Sequence, residues 1–361
     1  MTDINFDLLK RICETPGVSS REEPIRALVA AEMRGLVDSV ECDVMGNLTG
    51  TRNGHRQHPR VMVAAHLDEI GFMVKHVDKR GFLRLKPVGG WDARNMVAQR
   101  VLVHGYRGAV LRGALMQASK PIHMLSADDA RKPPRVEEMF VDLGMPADRV
   151  KAEVEPGDMV TMDRTAERIG DVVVSKTLDN RLSVFVMLEA LRLLGSEKTE
   201  ATILAAATTQ EEVGLRGATT AAWALEPDIG IALDVTLAND YPGPADHEHV
   251  TELGEGCAVK ITDSSLLCHP RLVRHFRDVA DENSIKYQLE VLPAGGTDAG
   301  AIQRSRAGVP SFTLSVPTRY VHTVNEMANV EDIAGAIQLL AAWLKVAHTR
   351  EYGYNADFQS S

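Results

Sequence analysis

Two adjacent carboxylates, Glu211 and Glu212, stand directly behind the run ATILAAATTQ, and that junction constrains the fold more than any other stretch of the chain. A run of small and apolar residues of this length reads as a strand buried on both faces, inside a sheet rather than at its rim. Like charges at the mouth of such a strand repel one another and resist desolvation, so they need a solvent-facing turn or a cation. Taken alone, the pair fits the first turn of a helix, where acidic side chains suit the helix dipole. The rest of the chain decides between these readings.

Of the 361 residues, 44% are hydrophobic and 25% charged, the balance of a globular chain long enough for one large domain or two ordinary ones. A net charge of -10 argues against nucleic-acid and anionic-membrane partners, because both select a basic face. Cys13, Cys42, Cys257 and Cys268 show no CxxC spacing, which fits a reducing compartment and argues against thiolate metal ligands. The amino-terminal segment has no basic-then-apolar leader pattern, and no apolar run is long enough to cross a bilayer. A cytoplasmic protein is expected.

Apolar residues at Phe6, Leu8, Leu9 and Ile12 predict a helix over 5–14, stopped by Pro16-Gly17. Ser20 and Glu23 have the spacing of a capping box ahead of a second helix carrying Ile25, Leu28, Val29 and Met33 on one face. After an extended stretch over 40–51, RVMVAA at 60–65 reads as a buried strand that runs straight into His66, Asp68 and Glu69. From 70 to 163 the texture changes to short β-type runs broken by glycine, GFMVKHV, GFLRLKPVGG, RVLVHG, GAVLRGALM and GDMVTM. This reads as a small, β-rich, barrel-like domain over 70–163, inserted into a unit made of 1–69 and 164–361.

Beyond the insertion, VVVSKT is a strand and 179–194 has helical periodicity. A helix around 218–225 follows the glutamate pair, then a strand IGIALDV ending at Asp234, a helix over 270–283 and a strand YQLEVL. A short helix after Thr297, a strand SFTLSV before His322 and a helix over 331–348 complete the chain. The alternation predicts an α/β fold, a doubly wound, mostly parallel sheet flanked by helices and interrupted by the insertion.

In such sheets ligands bind beyond the carboxyl ends of the strands, and His66, Glu211, Glu212, Asp234 and His322 all fall there. Asp179 opens the helix after its strand. Each has an ordinary explanation by itself, Asp179 as a helix cap, Asp234 as a turn residue and His322 as a packed histidine. Their convergence on separate strand exits points instead to a metal site. Imidazole and carboxylate without thiolate suit a pair of borderline divalent ions such as zinc or cobalt, with one carboxylate bridging them. Asp68, two residues beyond His66 on an extended backbone, faces the same side and can accept the other ring N–H.

HLDEIGF from His66, KTLDNR from Lys176, QEEVGLRGA from Gln210, ALDV from Ala232, GGTDAG from Gly295 and PTRYVHT from Pro317, in that order, resemble the motif set of the tetrahedral, glutamyl-aminopeptidase-like dinuclear metallo-aminopeptidases. The resemblance spans nearly the whole chain. It implies metal ligands at His66, Asp179, Glu212, Asp234 and His322, with Asp179 bridging, Glu211 as catalytic base and Asp68 behind His66. It also implies that the inserted domain pairs subunits and that dimers build a hollow tetrahedral dodecamer with inward-facing active sites. The related carboxypeptidases and deacylases share the ligand order but carry their extra domain between the fourth ligand and the last histidine. Here the insertion lies between His66 and Asp179.

The expected reaction is removal of amino-terminal residues from short peptides, with two Zn²⁺ or Co²⁺ ions per subunit activating a shared water. Glu211 would take that water's proton and pass it to the leaving amine, so it must stand near the ions without ligating them. Gly295 and Gly296, ahead of Thr297-Asp298, allow a close backbone approach and are assigned to the substrate pocket. A metal-dependent deacylase or carboxypeptidase acting on N-acyl amino acids is the alternative. Cellulase chemistry has little support in a chain with 5% aromatic residues and no clustered stacking platform.

Overall fold

Four strands, Thr202–Thr208, Arg60–His66, Ile229–Leu237 and Ser311–Arg319, lie side by side in that order and all parallel, and they form the centre of an eleven-stranded sheet. The structure is a computed structural model and describes residues 4–120, 122–126 and 131–354. Nearly every residue of these four strands is buried, because helices cover both faces. Side-chain alternation sorts the contents of the two layers. Val61, Val63 and Ala65 join the larger core with helices Phe6–Glu14, Leu178–Leu193 and Val330–Val346. Met62 and Ala64 turn the other way, to helices Arg216–Leu225 and Asp298–Gln303.

The sheet is mixed rather than mostly parallel. Ser39–Cys42 and Leu48–Arg52 extend one side of the parallel centre, and Glu326–Asn329, Val172–Ser175 and Glu167–Ile169 extend the other, all through antiparallel pairs. Cys257–Thr262, where no strand is evident from the sequence, pairs antiparallel with Ser311–Arg319 and parallel with Tyr287–Val291. These flanking strands are short, and Ser39–Cys42 and Glu167–Ile169 are largely exposed, so they lack the apolar runs that mark the centre.

Two local expectations also change. The Ser20–Glu23 capping box is absent. The helix begins at Glu23 with Glu22 at its cap, and Glu22 reaches back to accept from the Ser20 N–H at 2.8 Å. The strand through Asp234 continues to Leu237, so this aspartate lies within the strand rather than at its end.

Between His66 and Val172 the chain builds a closed barrel of six antiparallel strands. Around the barrel they run Gly71–Val77, Leu83–Val88, Met139–Asp142, Val110–Gln117, Gln99–His104 and Met159–Met162. It has its own apolar core, with Phe72, Leu83, Val101, Val103, Leu115, Val141 and Val160 fully buried. Closure removes the free strand edges that the short glycine-broken runs would otherwise leave. Any contact with another subunit is therefore a matter of the barrel's outer surface. No helix among the described residues is long and apolar enough to cross a membrane.

Candidate metal centre and active site

The strand ends converge. His66 is the last residue of its strand and lies in register with Thr208, after which the chain turns through Gln210, in a left-handed conformation, to Glu211 and Glu212. Asp179 enters from the start of helix Leu178–Leu193, where its own backbone is not helical. His322 follows strand Ser311–Arg319 in a turn at φ +62°.

Asp179 stands between the two imidazoles. One of its oxygens lies 3.2 Å from His66 Nε2 and the other 3.3 Å from His322 Nε2. Glu212 Oε2 is 3.5 Å from His322 Nε2, and Glu211 Oε2 is 3.7 Å from His66 Nε2. Donor atoms of His66, Asp179 and Glu212 form one group within 4.8 Å, and those of His66, Glu211 and Asp234 form a second. The structure thus brings together the five residues anticipated at the strand exits and Asp179 from the start of its helix.

Asp68 is fully buried and takes no part in the cavity lining. Its carboxylate accepts from Ser19 Oγ at 2.6 Å and from the backbone N–H groups of Glu211 and Glu212 at 3.0 and 3.2 Å. His66 Nδ1 lies 3.0 Å from the Asp68 backbone carbonyl and 3.4 Å from its carboxylate. Asp68 therefore faces the imidazole with both its carbonyl and its carboxylate, and its side chain holds the turn that carries both glutamates.

Residues that sequence reasoning passed over support the same centre. Glu326, fully buried, accepts from the backbone N–H of Asp179 at 2.9 Å and of His322 at 2.8 Å, so a single carboxylate fixes two of the converging segments. Its spacing of four residues from His322 is the one signal it leaves in the sequence. Beneath His66, Arg181 donates to the carbonyls of Leu67, Ile12 and Thr15, while Glu69 pairs with Lys176. The barrel also reaches the centre. A Cβ on Gly90 would lie 3.2 Å from His322 Nδ1, and one on Gly89 would meet Ile70 at 2.4 Å. Glycine is needed at 89, at φ +78° against Ile70, while a side chain at 90 would crowd His322.

The electrostatics call for added positive charge. Burial, reinforced by Asp234 and Glu212 and partly offset by His66, raises the Glu211 carboxyl well above the usual carboxylate range. Burial likewise raises Asp234 and Glu212. The histidines also move up, but for the opposite reason: desolvation works against their charge, yet Asp179 and Glu212 push His322 up to about 12, and Glu211 and Asp179 raise His66 well above its ordinary value. Glu212 Oε1 is buried without a hydrogen-bond partner. Carboxylates packed this closely with only two imidazoles fit divalent cations, and the nitrogen and oxygen donors match zinc-like ions.

A cavity of about 400 Å³ opens beside the cluster, lined further by Val235, Leu237, Leu292, Ala294, Gly295, Gly296 and Val321. The glycine pair assigned to the substrate pocket thus lies in its wall. An open cavity against a carboxylate–imidazole cluster belongs to a metal-dependent hydrolase.

Sequence comparison narrows that class: residues 46–339 match the profile of the M42 glutamyl aminopeptidases, and the chain belongs to this family. It is 39% identical to a putative aminopeptidase of Acetivibrio thermocellus over 93% of this chain and 97% of the relative. The aminopeptidase APDkam598 of Desulfurococcus kamchatkensis superposes with a TM-score of 0.89 at 38% identity, covering 94% of each chain. The TET1 peptidase of Pyrococcus horikoshii, described as assembling into a tetrahedron or a large octahedral shell, superposes with a TM-score of 0.83 at 30% identity, over 94% of this chain and 98% of that one. The activity of the family, metal-dependent aminopeptidase chemistry, is the activity of this chain, and the deacylase alternative is not favoured.

Proposed function

We propose that the cluster holds two divalent ions, zinc or cobalt, with Asp179 shared between them. His66, Glu212, Asp234 and His322 would complete the ligand set around them. The observation that carries this reading is the pair of Asp179 oxygens facing two imidazoles, 3.2 and 3.3 Å away. When bound, such ions polarise the scissile carbonyl and lower the pKa of an attacking water.

The chain's own residues do the rest. Glu211, next to a ligand but free of the Asp179 bridge, takes the proton of the attacking water and returns it to the leaving amine. Asp68 and Glu326 are positioning residues, acting through backbone N–H groups and the His66 ring. The substrates are short peptides with a free amino terminus.

Assembly follows the TET pattern, a homo-oligomer built from dimers into a tetrahedral dodecamer, with the barrel pairing subunits. Tyr106, Val110 and Met116, large apolar side chains exposed on the barrel, support that role. Four unpaired cysteines agree with a cytoplasmic setting.

The test is Glu211→Gln, assayed on matched unblocked and N-acetylated peptides. Metal content should be unchanged and turnover of the unblocked peptide should fall ~10²–10⁴-fold. Retained turnover with intact metals would show that the base lies elsewhere, and preferential cleavage of the acetylated peptide by the unaltered enzyme would favour a deacylase.

A further inference from the structure

We infer that this enzyme selects peptides whose first side chain is uncharged and aliphatic, an inference that rests on the aminopeptidase reading of the site. In an aminopeptidase the scissile carbonyl lies at the metal cluster and the first side chain must occupy the space beside it. That space is the cavity wall formed by Val235, Leu237, Leu292, Ala294 and Val321. Beyond the cluster itself, no Lys, Arg, Asp or Glu among the described residues lines it.

The two polar side chains in the wall are already engaged. Thr236 Oγ1 donates to Glu290 at 2.6 Å, and the Thr297 and Thr313 hydroxyls share a hydrogen bond of 2.9 Å. Glu290, the carboxylate behind Thr236, is fully buried and paired with Lys260, so it offers no charge to a ligand in the cavity. A lysyl or glutamyl side chain entering this wall loses water without gaining a counter-charge, whereas a leucyl or methionyl side chain exchanges water for aliphatic contact. Gly295 and Gly296 also line the cavity and supply no polar side chain to it.

The experiment uses the metal-loaded enzyme and leucyl, methionyl, lysyl and glutamyl p-nitroanilides. Leucyl and methionyl substrates should exceed lysyl and glutamyl ones in kcat/KM by about tenfold or more. Calorimetric binding of leucine amide and lysine amide to Glu211→Gln should rank the same way. Ala294→Glu, at an exposed position that tolerates replacement, should raise the lysyl-to-leucyl ratio, and Leu292→Glu provides a second placement of the same charge.

A wild-type preference for lysyl or glutamyl substrate, or a ratio unmoved in both variants, would overturn the inference while leaving the peptidase reading intact. Failure to cleave any free aminoacyl substrate would remove the aminopeptidase reading and this inference together.

Discussion

The barrel interior is closed to water while the carboxyl end of the parallel strands opens onto a cavity, and the two are filled with opposite chemistry. Phe72, Leu83, Val101, Val103, Leu115 and Val141 fill the barrel, where burial itself is the stabilising force. At the strand ends buried His66 and Asp234 and half-buried Asp179, Glu211, Glu212 and His322 crowd together, an arrangement that costs stability until positive charge is supplied. The difference separates a region built to fold from one built to bind. The two meet at Gly89 and Gly90, where an added Cβ would lie 3.4 Å from Glu212 and 3.2 Å from His322 respectively.

If the division is sound, damage to each region should read out differently. The largest effect on folding is expected from Leu115→Ala, which empties a fully buried site between Gln99 and Val141. It should cost ~2–5 kcal/mol in a denaturant titration while leaving metal affinity unchanged. A parallel loss of metal would mean that the barrel's packing governs the centre.

Glu326→Ala should do the reverse. Without an acceptor for the Asp179 and His322 N–H groups, metal affinity should drop roughly 10–100-fold by competition with a chelator, and Glu326→Gln, which keeps one acceptor oxygen, should recover part of it. Equal losses in both variants would show that charge rather than backbone positioning is what Glu326 supplies.

The smallest effect probes the junction. Gly90→Ala places a methyl 3.2 Å from His322 Nδ1, so the ring must shift by tenths of an ångström. A few-fold fall in kcat/KM with unaltered thermal stability is expected. Unchanged kinetics would separate barrel and centre completely.

Much of the centre is legible in the sequence because buried strands advertise themselves as apolar runs, and a charge at the end of such a run is conspicuous. His66, Glu211 and Glu212 stand out in that way. Asp234 does too, although its strand runs three residues further. Antiparallel edges such as Glu167–Ile169 are exposed and short, and nothing in their composition separates them from loop. Cys257–Thr262 hides for another reason: its buried Lys260 is paired with Glu290, thirty residues away in the chain, so a charged residue reads as surface until the fold brings its partner in. The Ser20–Glu23 pattern fails because Glu22 is the residue that turns inward, accepting from the N–H groups of Ser20 and Gln210. Glu326 escapes notice since its contacts are to backbone, and backbone leaves no mark on sequence.

The shared ligand is the centre of the account, and metal stoichiometry tests it most directly. Elemental analysis of the unaltered protein should find two divalent ions per chain. Asp179→Asn, which weakens a ligand to both ions while leaving the sheet's packing in place, should fall clearly below two. Two ions per chain in both proteins would remove Asp179 from the centre and return it to a structural role at the start of its helix.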